Sequence, residues 1–307
     1  MTFARDDVRR FLDMLAAVDG PPMAEMDVAT ARQMYRRMVE LSDRPVADSV
    51  ETQDFAVPGP AGAMAARSYQ PASAISDGTV ILFLHGGGFV VGGLETHHGL
   101  AAEIARLTGY PLVAVDYRLA PEAPWPAAVD DAMAAARWLA GSPPTLGFPV
   151  SRLIVAGDSA GGGLAAILAR ALRRELAVAA QWLIYPATDM KAAGGSIDEF
   201  ASGYLLSAES LGWFGRHYAP NPKDEQASPL RAEDWSGLPP ALVFACGLDP
   251  IRDQGRAYAA KLAAGGNRLI FREGAGQIHM SMQLRAAIPS AQCDLEQQAA
   301  DLKALLS

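Results

Sequence analysis

The sequence predicts an α/β protein built on a mostly parallel sheet. From Thr79 onward, short apolar runs alternate with stretches in which apolar residues recur at helical spacing, the pattern of repeated strand–helix units. The apolar runs are continuous, as strands buried on both faces require, so helices should cover each side of the sheet. A chain of 307 residues is long enough for one main domain of this kind with an inserted segment.

Each predicted element can be placed along the chain. The strands are TVILFL (79–84), PLVAVDY (111–117), RLIVAG (152–157), AQWLIYP (180–186), ALVFACG (241–247) and NRLIFRE (267–273). Helices are expected near 96–107, near 126–140 and from about 160. Before this region, two amphipathic helices are predicted in the first 45 residues, followed by an antiparallel hairpin formed by DFAV and AMAARSY around the turn PGPAG. Residues 190–222 interrupt the pattern with an aromatic-rich insertion, which should cover part of the domain.

Composition and charge exclude several classes of protein. The net charge of −8 and the pI near 5.2 provide no basic surface for a nucleic acid. No run of roughly 18 apolar residues could cross a bilayer, and the first residues do not read as a secretory signal, so no membrane association is expected. With only Cys246 and Cys293, a disulfide framework is not expected, and a cytoplasmic location is predicted.

Ser159 is the candidate nucleophile. It lies in Gly157-Asp158-Ser159-Ala160-Gly161, which fits G-x-S-x-G between a predicted strand and a predicted helix. In that context the glycines permit a sharp turn that exposes the serine hydroxyl. The motif is short, and the alternative interpretation is an ordinary glycine-rich turn between a strand and a helix.

A second glycine-rich loop, HGGGF at 85–89, follows the first buried strand. Consecutive glycines let backbone amides approach a ligand, and such amides can stabilise an oxyanion. A nucleotide phosphate is the alternative ligand, but G-x-G-x-x-G and G-x-x-x-x-G-K-[ST] are both absent from the chain. The loop therefore favours an oxyanion over a phosphate.

A nucleophilic serine requires a base, and the base requires an orienting carboxylate. Of the five histidines, only His279 follows a strand at the expected edge of the sheet; the others are His85 in the glycine loop, His97 and His98 on a helix expected at the surface, and His217 in the insertion. Asp249 follows the strand ALVFACG and is the predicted carboxylate. Asp253 competes with it, but lies about one turn into the next helix, where an acidic residue favours the helix N-terminus.

Taken together, these residues resemble the hormone-sensitive-lipase-like bacterial esterases (family IV) of the α/β-hydrolase fold, from about Thr79 to Met282. The shared motifs are HGGGF, YRLAPE (117–122) with Pro126 and Asp130, GDSAGG, Tyr185-Pro186, GYLL (203–206), Ser228-Pro229-Leu230, DPIRD (249–253) and GQIH (276–279). The resemblance implies an oxyanion hole formed by the amides of Gly86, Gly87 and Ala160. It also implies a core at 46–189 and 223–307, under a helical cap formed by 1–45 and 190–222.

The function implied is that of a serine carboxylesterase acting on short- to medium-chain esters, without cofactor or metal ion, and a homodimer is suggested. An amidase or other acyl hydrolase would use the same three residues, and a ligand-binding protein on this fold would have lost the histidine. A dehalogenase or epoxide hydrolase would need a carboxylate in place of Ser159. Two departures from the family pattern, Gln254 and the pair Met280-Ser281, bear on rate and pocket shape.

Overall fold

A computed structural model describes residues 3–18 and 20–307 and contains one eight-stranded sheet in the order β1-β2-β4-β3-β5-β6-β7-β8. The strands are β1 (Val50–Gly59), β2 (Gly62–Pro71), β3 (Thr79–Leu84), β4 (Leu112–Val115), β5 (Arg152–Asp158), β6 (Val178–Ile184), β7 (Ala241–Leu248) and β8 (Leu269–Ile278). The helices are α1 (Asp6–Ala16), α2 (Val28–Ser42), α3 (Leu94–Thr108), α4 (Ala127–Ala140), α5 (Ala160–Ala171), α6 (Ser196–Glu199), α7 (Ala208–Tyr218), α8 (Arg252–Ala264) and α9 (Pro289–Leu306).

The sheet is parallel from β4 to β8, and the predicted hairpin forms its antiparallel edge. β1 pairs with β2, and β2 with β4, in antiparallel register, while all the other neighbours are parallel. The mostly parallel sheet and the edge hairpin predicted from the sequence are therefore confirmed. β8 is longer than predicted and runs to Ile278, directly before His279.

Two apolar cores lie on opposite faces of the sheet. In β3, Val80, Leu82 and Leu84 belong to one core, and Ile81 and Phe83 to the other. Alternate residues of a strand point to opposite faces, so a strand covered on both sides must be apolar throughout. This is the physical reason for the continuous apolar runs.

Register brings two loops to the same edge of the sheet. β3 and β5 are adjacent and parallel, and Leu84 pairs with Gly157. The glycine loop after β3 and the serine turn after β5 therefore begin side by side, although more than seventy residues separate them in the chain. The carboxyl ends of parallel strands are where α/β folds bind ligands.

The N-terminal helices and the insertion lie near each other. Asp27 is the N-cap of α2, and its carboxylate accepts a hydrogen bond from the Thr30 amide at 3.0 Å. Ser207 is the N-cap of α7, and its hydroxyl accepts from the Ser210 amide. α7 contacts the short helical turn at 23–25. The predicted cap segment 1–45 includes residues 1, 2 and 19, which lie outside the described residues. Among the helices of the described residues, none combines the length and the hydrophobicity that a bilayer-spanning helix needs.

Candidate active site

Ser159 occupies a strained turn between β5 and α5. Its φ of 54° and ψ of −118° lie in a region that residues with a side chain rarely adopt. The Ser159 amide donates to the Ile184 carbonyl at 2.9 Å, and the Ser159 carbonyl accepts from the Ala187 amide at 3.0 Å. These bonds to the last residue of β6 and to the segment after it hold the turn in its unusual conformation.

The two glycines of the motif are required by the close approach of β3. A Cβ atom on Gly157 would come within 2.5 Å of the Leu84 carbonyl oxygen, and one on Gly161 would overlap the same oxygen. Neither clash could be relieved by a side-chain movement, because the obstacle is backbone. The spacing G-x-S-x-G thus follows from packing the turn against the end of β3.

Ser159, His279 and Asp249 form a continuous hydrogen-bonded relay. The Nε2 atom of His279 lies 2.8 Å from the Ser159 Oγ atom, and its Nδ1 atom lies 2.7 Å from the Asp249 Oδ2 atom. Asp249 is fully buried, and its other oxygen accepts from the Ile251 amide at 2.9 Å. Because the Asp249 carboxylate can only accept, Nδ1 carries the proton and Nε2 is free to accept from the serine hydroxyl.

Asp253, the competing carboxylate, has partners other than His279. It lies in the first turn of α8, where it accepts from the Ser196 amide at 2.9 Å and pairs with Arg252 and Arg256 at 3.0 and 3.2 Å. Of the two carboxylates, Asp249 is the one within hydrogen-bond distance of His279.

The glycine loop differs from expectation at Gly86. Its amide donates to the Asp158 Oδ1 atom at 2.8 Å and also lies 3.2 Å from the His97 Nε2 atom, so it has no hydrogen left for an oxyanion. The prediction of Gly86 as a donor is therefore wrong. The amides of Gly87, Gly88 and Ala160 have no acceptor within the described residues. Gly87 and Gly88 adopt positive φ angles of 115° and 60°.

His97 is not on a surface, contrary to expectation. It is 1% exposed, and its ring contacts Asp158, Gly86 and Gln283 beneath the glycine loop. The sequence nevertheless carries a signal for this burial. Leu100, Ala101 and Ile104 are the apolar residues one and two turns beyond His97, and they define the buried face of α3 on which it lies.

His85 anchors the glycine loop through its Nδ1 atom, which lies 2.8 Å from the Gly86 carbonyl oxygen. Burial, with a smaller contribution from His97, lowers the pKa of His85 to about 3, so its ring is neutral at pH 7. Its ring stacks on Tyr117 at 4.2 Å between centroids, and the Tyr117 hydroxyl donates to the His85 carbonyl at 2.6 Å. These contacts make His85 and Tyr117 supports of the loop.

The charged residues of YRLAPE both form ion pairs that hold the structure together. Arg118 forms a bidentate ion pair with the buried Asp131: two guanidinium nitrogens donate to the two carboxylate oxygens, each at 2.8 Å. Glu122 pairs in the same way with Arg32 of α2, at 2.7 Å for both oxygens. The second pair connects the N-terminal helices to the domain core.

The two departures from the family pattern have distinct structural settings. The Gln254 Oε1 atom accepts from the amides of Thr188 and Asp189 at 2.8 and 3.0 Å, so a neutral amide oxygen stabilises the loop after β6. Met280, directly after His279, has a φ of 68°, the left-handed conformation that glycine adopts at least cost. The strain at Met280 therefore lies next to the base of the relay.

The insertion approaches the glycine loop through Phe214 of α7. A Cβ atom on Gly88 would overlap the Phe214 ring, which shows how closely this half-buried ring covers the loop. One turn further along α7, Tyr218 stacks on Phe89 at 3.8 Å between ring centroids. The third glycine of the loop is therefore needed both for its positive φ and for contact with α7.

A buried sheet with a serine turn after β5, a histidine after β8 and a carboxylate after β7 defines the class of α/β-hydrolases with a serine relay. A family profile described as alpha/beta hydrolase fold matches residues 81–283. The carboxylic ester hydrolase LipN of Mycobacterium tuberculosis is 38% identical over 266 residues, covering 83% of this chain and 70% of that protein. An ethyl acetate hydrolase of Pseudomonas putida is 43% identical over 220 residues, covering 70% of this chain and 69% of that protein.

Solved structures agree with these relatives. An ester hydrolase from the metagenome of Lake Arreo superimposes with a TM-score of 0.94 at 35% identity, covering 98% of this chain and 99% of that one. A thermostable esterase from Pseudomonas putida gives a TM-score of 0.93 at 30% identity, covering 99% and 98%. This chain belongs to the α/β-hydrolase family, in the group of hormone-sensitive-lipase-like esterases that its motifs resemble.

Proposed function

We propose that this protein hydrolyses carboxylic esters through an acyl-enzyme on Ser159. The observation that carries the proposal is the relay from Ser159 Oγ to His279 Nε2 at 2.8 Å and from His279 Nδ1 to Asp249 Oδ2 at 2.7 Å. His279 takes the hydroxyl proton as Oγ attacks the ester carbonyl, then gives it to the departing alcohol. Water repeats the sequence on the acyl-enzyme and releases the acid.

Asp249 acts through His279 in both half-reactions. Its buried carboxylate keeps the proton of the neutral ring on Nδ1 and stabilises the imidazolium formed when Nε2 accepts the serine proton. Because Asp249 has no exposed surface, water screens this interaction little.

The oxyanion is proposed to bind the amides of Gly87, Gly88 and Ala160. The proposal is supported by their lack of acceptors within the described residues and by the pairing of Leu84 with Gly157, which brings the loop beside Ser159. Loss of one such donor typically lowers turnover by about 10²- to 10³-fold. Gly88 replaces Gly86 in this set because the Gly86 amide is already bonded.

We further propose short- to medium-chain acyl groups as the substrates, under a cap formed by 1–45 and 190–222. Phe214 supports this proposal because its ring lies against Gly88 and limits the space above the loop. An amide substrate would use the same relay, so matched ester and amide substrates must be compared. Hydrolysis of the amides as fast as the esters would favour the amidase alternative.

The test is labelling with a fluorophosphonate followed by peptide mapping. We expect one label per chain, on Ser159, and loss of both label and ester hydrolysis in Ser159→Ala. Unlabelled wild-type protein, or a Ser159→Ala variant that still hydrolyses esters at the wild-type rate, would contradict the proposal. Ser281, which lies near His279 in the chain, provides the control: Ser281→Ala should keep the label.

A cytoplasmic location and a homodimer complete the proposal. The location is supported by Cys246 and Cys293, which are both free thiols in the described part of the chain. The homodimer is supported by the family resemblance. Cell fractionation and light scattering on the purified protein test the two statements separately.

A further inference from the structure

A chain of buried polar side chains connects α2 to the glycine loop. The Tyr35 hydroxyl of α2 donates to the Gln283 Oε1 atom at 3.0 Å, and the Gln283 Nε2 atom contacts the His97 Nε2 atom. The His97 Nε2 atom also lies 3.2 Å from the Gly86 amide nitrogen. Exposure is 5% for Tyr35, 0% for Gln283 and 1% for His97, so water does not compete for these bonds.

The neighbours of His97 determine which of its nitrogens accepts. On the Nδ1 side, the Thr96 Oγ1 atom lies at 2.9 Å and the Gly93 carbonyl oxygen at 3.3 Å. The Thr96 hydroxyl donates to the same Gly93 carbonyl at 3.0 Å, which leaves its oxygen to accept from Nδ1–H. This places the proton on Nδ1, so Nε2 accepts from the Gln283 side-chain amide and shares the Gly86 backbone amide with the Asp158 Oδ1 atom, which lies 3.3 Å from Nε2.

The Gly86 amide is thus held from two elements at once. The Asp158 carboxylate, next to Ser159, holds it at 2.8 Å, and His97 of α3 holds it at 3.2 Å. The residues that follow, Gly87 and Gly88, have positive φ angles and no side chains that could fix their direction. The Gly87 carbonyl accepts from the Val90 and Val91 amides at 3.1 and 2.9 Å, which fixes the shape of this turn. The two bonds to the Gly86 amide therefore set where the turn, with its free amides, sits relative to Ser159.

We propose that His97 is a positioning residue for the oxyanion-binding amides, and that Tyr35 and Gln283 hold it in place from α2. The inference rests on the proposed function, because it assumes an oxyanion at Gly87 and Gly88. The inference also goes beyond the proposed function, because it makes the position of the N-terminal helix α2 a determinant of turnover. Gln283 lies in the segment that carries His279, so one segment supports both the base and the oxyanion loop.

The experiment compares His97→Leu with His98→Leu. His98 is the next residue on α3, and its ring contacts Tyr69 and Arg67 instead of the glycine loop. Active sites are counted by fluorophosphonate titration, so that kcat refers to folded enzyme only. We expect His97→Leu to lower kcat by about 10- to 10²-fold with KM changed less than about threefold, as for a displaced catalytic group. His98→Leu should stay near the wild-type kcat.

A transition-state analogue separates positioning from a general structural defect. A trifluoromethyl ketone adds to the serine hydroxyl and forms an oxyanion, so its affinity for His97→Leu should fall by the same factor as kcat/KM. His97→Gln, which retains an acceptor oxygen, should recover part of the loss. Tyr35→Phe should show a smaller decrease of the same kind, and it provides the test if His97→Leu does not fold.

Two results would overturn the inference. One is wild-type kcat and wild-type affinity for the ketone in folded His97→Leu; the other, should that variant not fold, is the same outcome for both His97→Gln and Tyr35→Phe. Failure of the proposed function has a different signature, since wild-type protein would then not be labelled at Ser159. The two failures are therefore distinguishable in one set of measurements.

Discussion

The His279 Nε2 atom lies 2.8 Å from the Ser159 Oγ atom, although 120 residues separate the two in the chain. They meet because β5 and β8 end at the same edge of one parallel sheet. Because β6 and β7 lie between β5 and β8, the turn after β5 and the segment after β8 must close the gap, and Asp249 at the end of β7 lies beside His279.

The first prediction concerns the two carboxylates considered for the relay. Asp249→Asn should lower kcat by about 10⁴-fold, because the amide neither fixes the His279 tautomer nor stabilises its charged form. Asp253→Asn is the matched control and should keep kcat, since its contacts are to Ser196, Arg252 and Arg256. Steady-state ester hydrolysis measures both, and equal losses in the two variants would contradict the assignment.

The second prediction concerns the serine turn. Gly161→Ala should lower the free energy of unfolding by about 1–3 kcal/mol or more, because the new methyl group meets the Leu84 carbonyl. Gly215→Ala, in α7, meets no atom within 4 Å and should stabilise the protein by up to about 1 kcal/mol. Urea unfolding of the three proteins provides the measurement, and a Gly161→Ala variant as stable as wild type would contradict the packing argument.

The third prediction concerns acyl-chain length. Phe214→Ala should raise kcat/KM for an octanoate ester relative to an acetate ester by about tenfold or more, because removing the ring opens space above Gly88. His217→Ala, also on α7, serves as the control and should leave the ratio unchanged. A wild-type enzyme equally active on both esters would refute the proposed chain-length limit, whatever the effect of the variant.

The fourth prediction concerns acid stability. The pKa of His85 falls from 6.5 to about 3 on folding, so between these values the unfolded chain binds a proton that the native chain does not. The free energy of unfolding must therefore decrease as pH falls through this window, by at most about 1.4 kcal/mol per pH unit for this group. His85→Asn should make the pH dependence shallower between pH 6.5 and 3, measured by urea unfolding. His217→Asn is the control, and an unchanged slope in His85→Asn would count against the buried neutral histidine.

Much of the fold was predictable from local patterns. Continuous apolar runs predicted the buried strands, and the structure confirms them in order, with the edge hairpin. Ser159, His279 and Asp249 were identified from motifs and from their positions after strands, and the structure brings these three side chains together. Local patterns succeed here because the carboxyl ends of neighbouring parallel strands share one edge.

The loop contacts were not predictable in this way. Nothing in the sequence HGGG distinguishes its three glycines from one another. In the structure, Asp158 and His97 hold the amide of Gly86, whereas the Phe214 ring covers Gly88. Likewise, Gln254 differs from the family pattern, but its partners at Thr188 and Asp189 became known only from the structure.

The sequence by itself determined the strands, the helices outside the insertion and the C-terminus, the family and the three residues of the relay, because hydrophobic periodicity and turn chemistry act over a few neighbouring residues. The tertiary structure alone decided which glycine amides remain free for an oxyanion and that His97 is buried beneath them. A backbone amide donates to an acceptor within hydrogen-bond distance, and for this loop such acceptors come from segments far away in the chain.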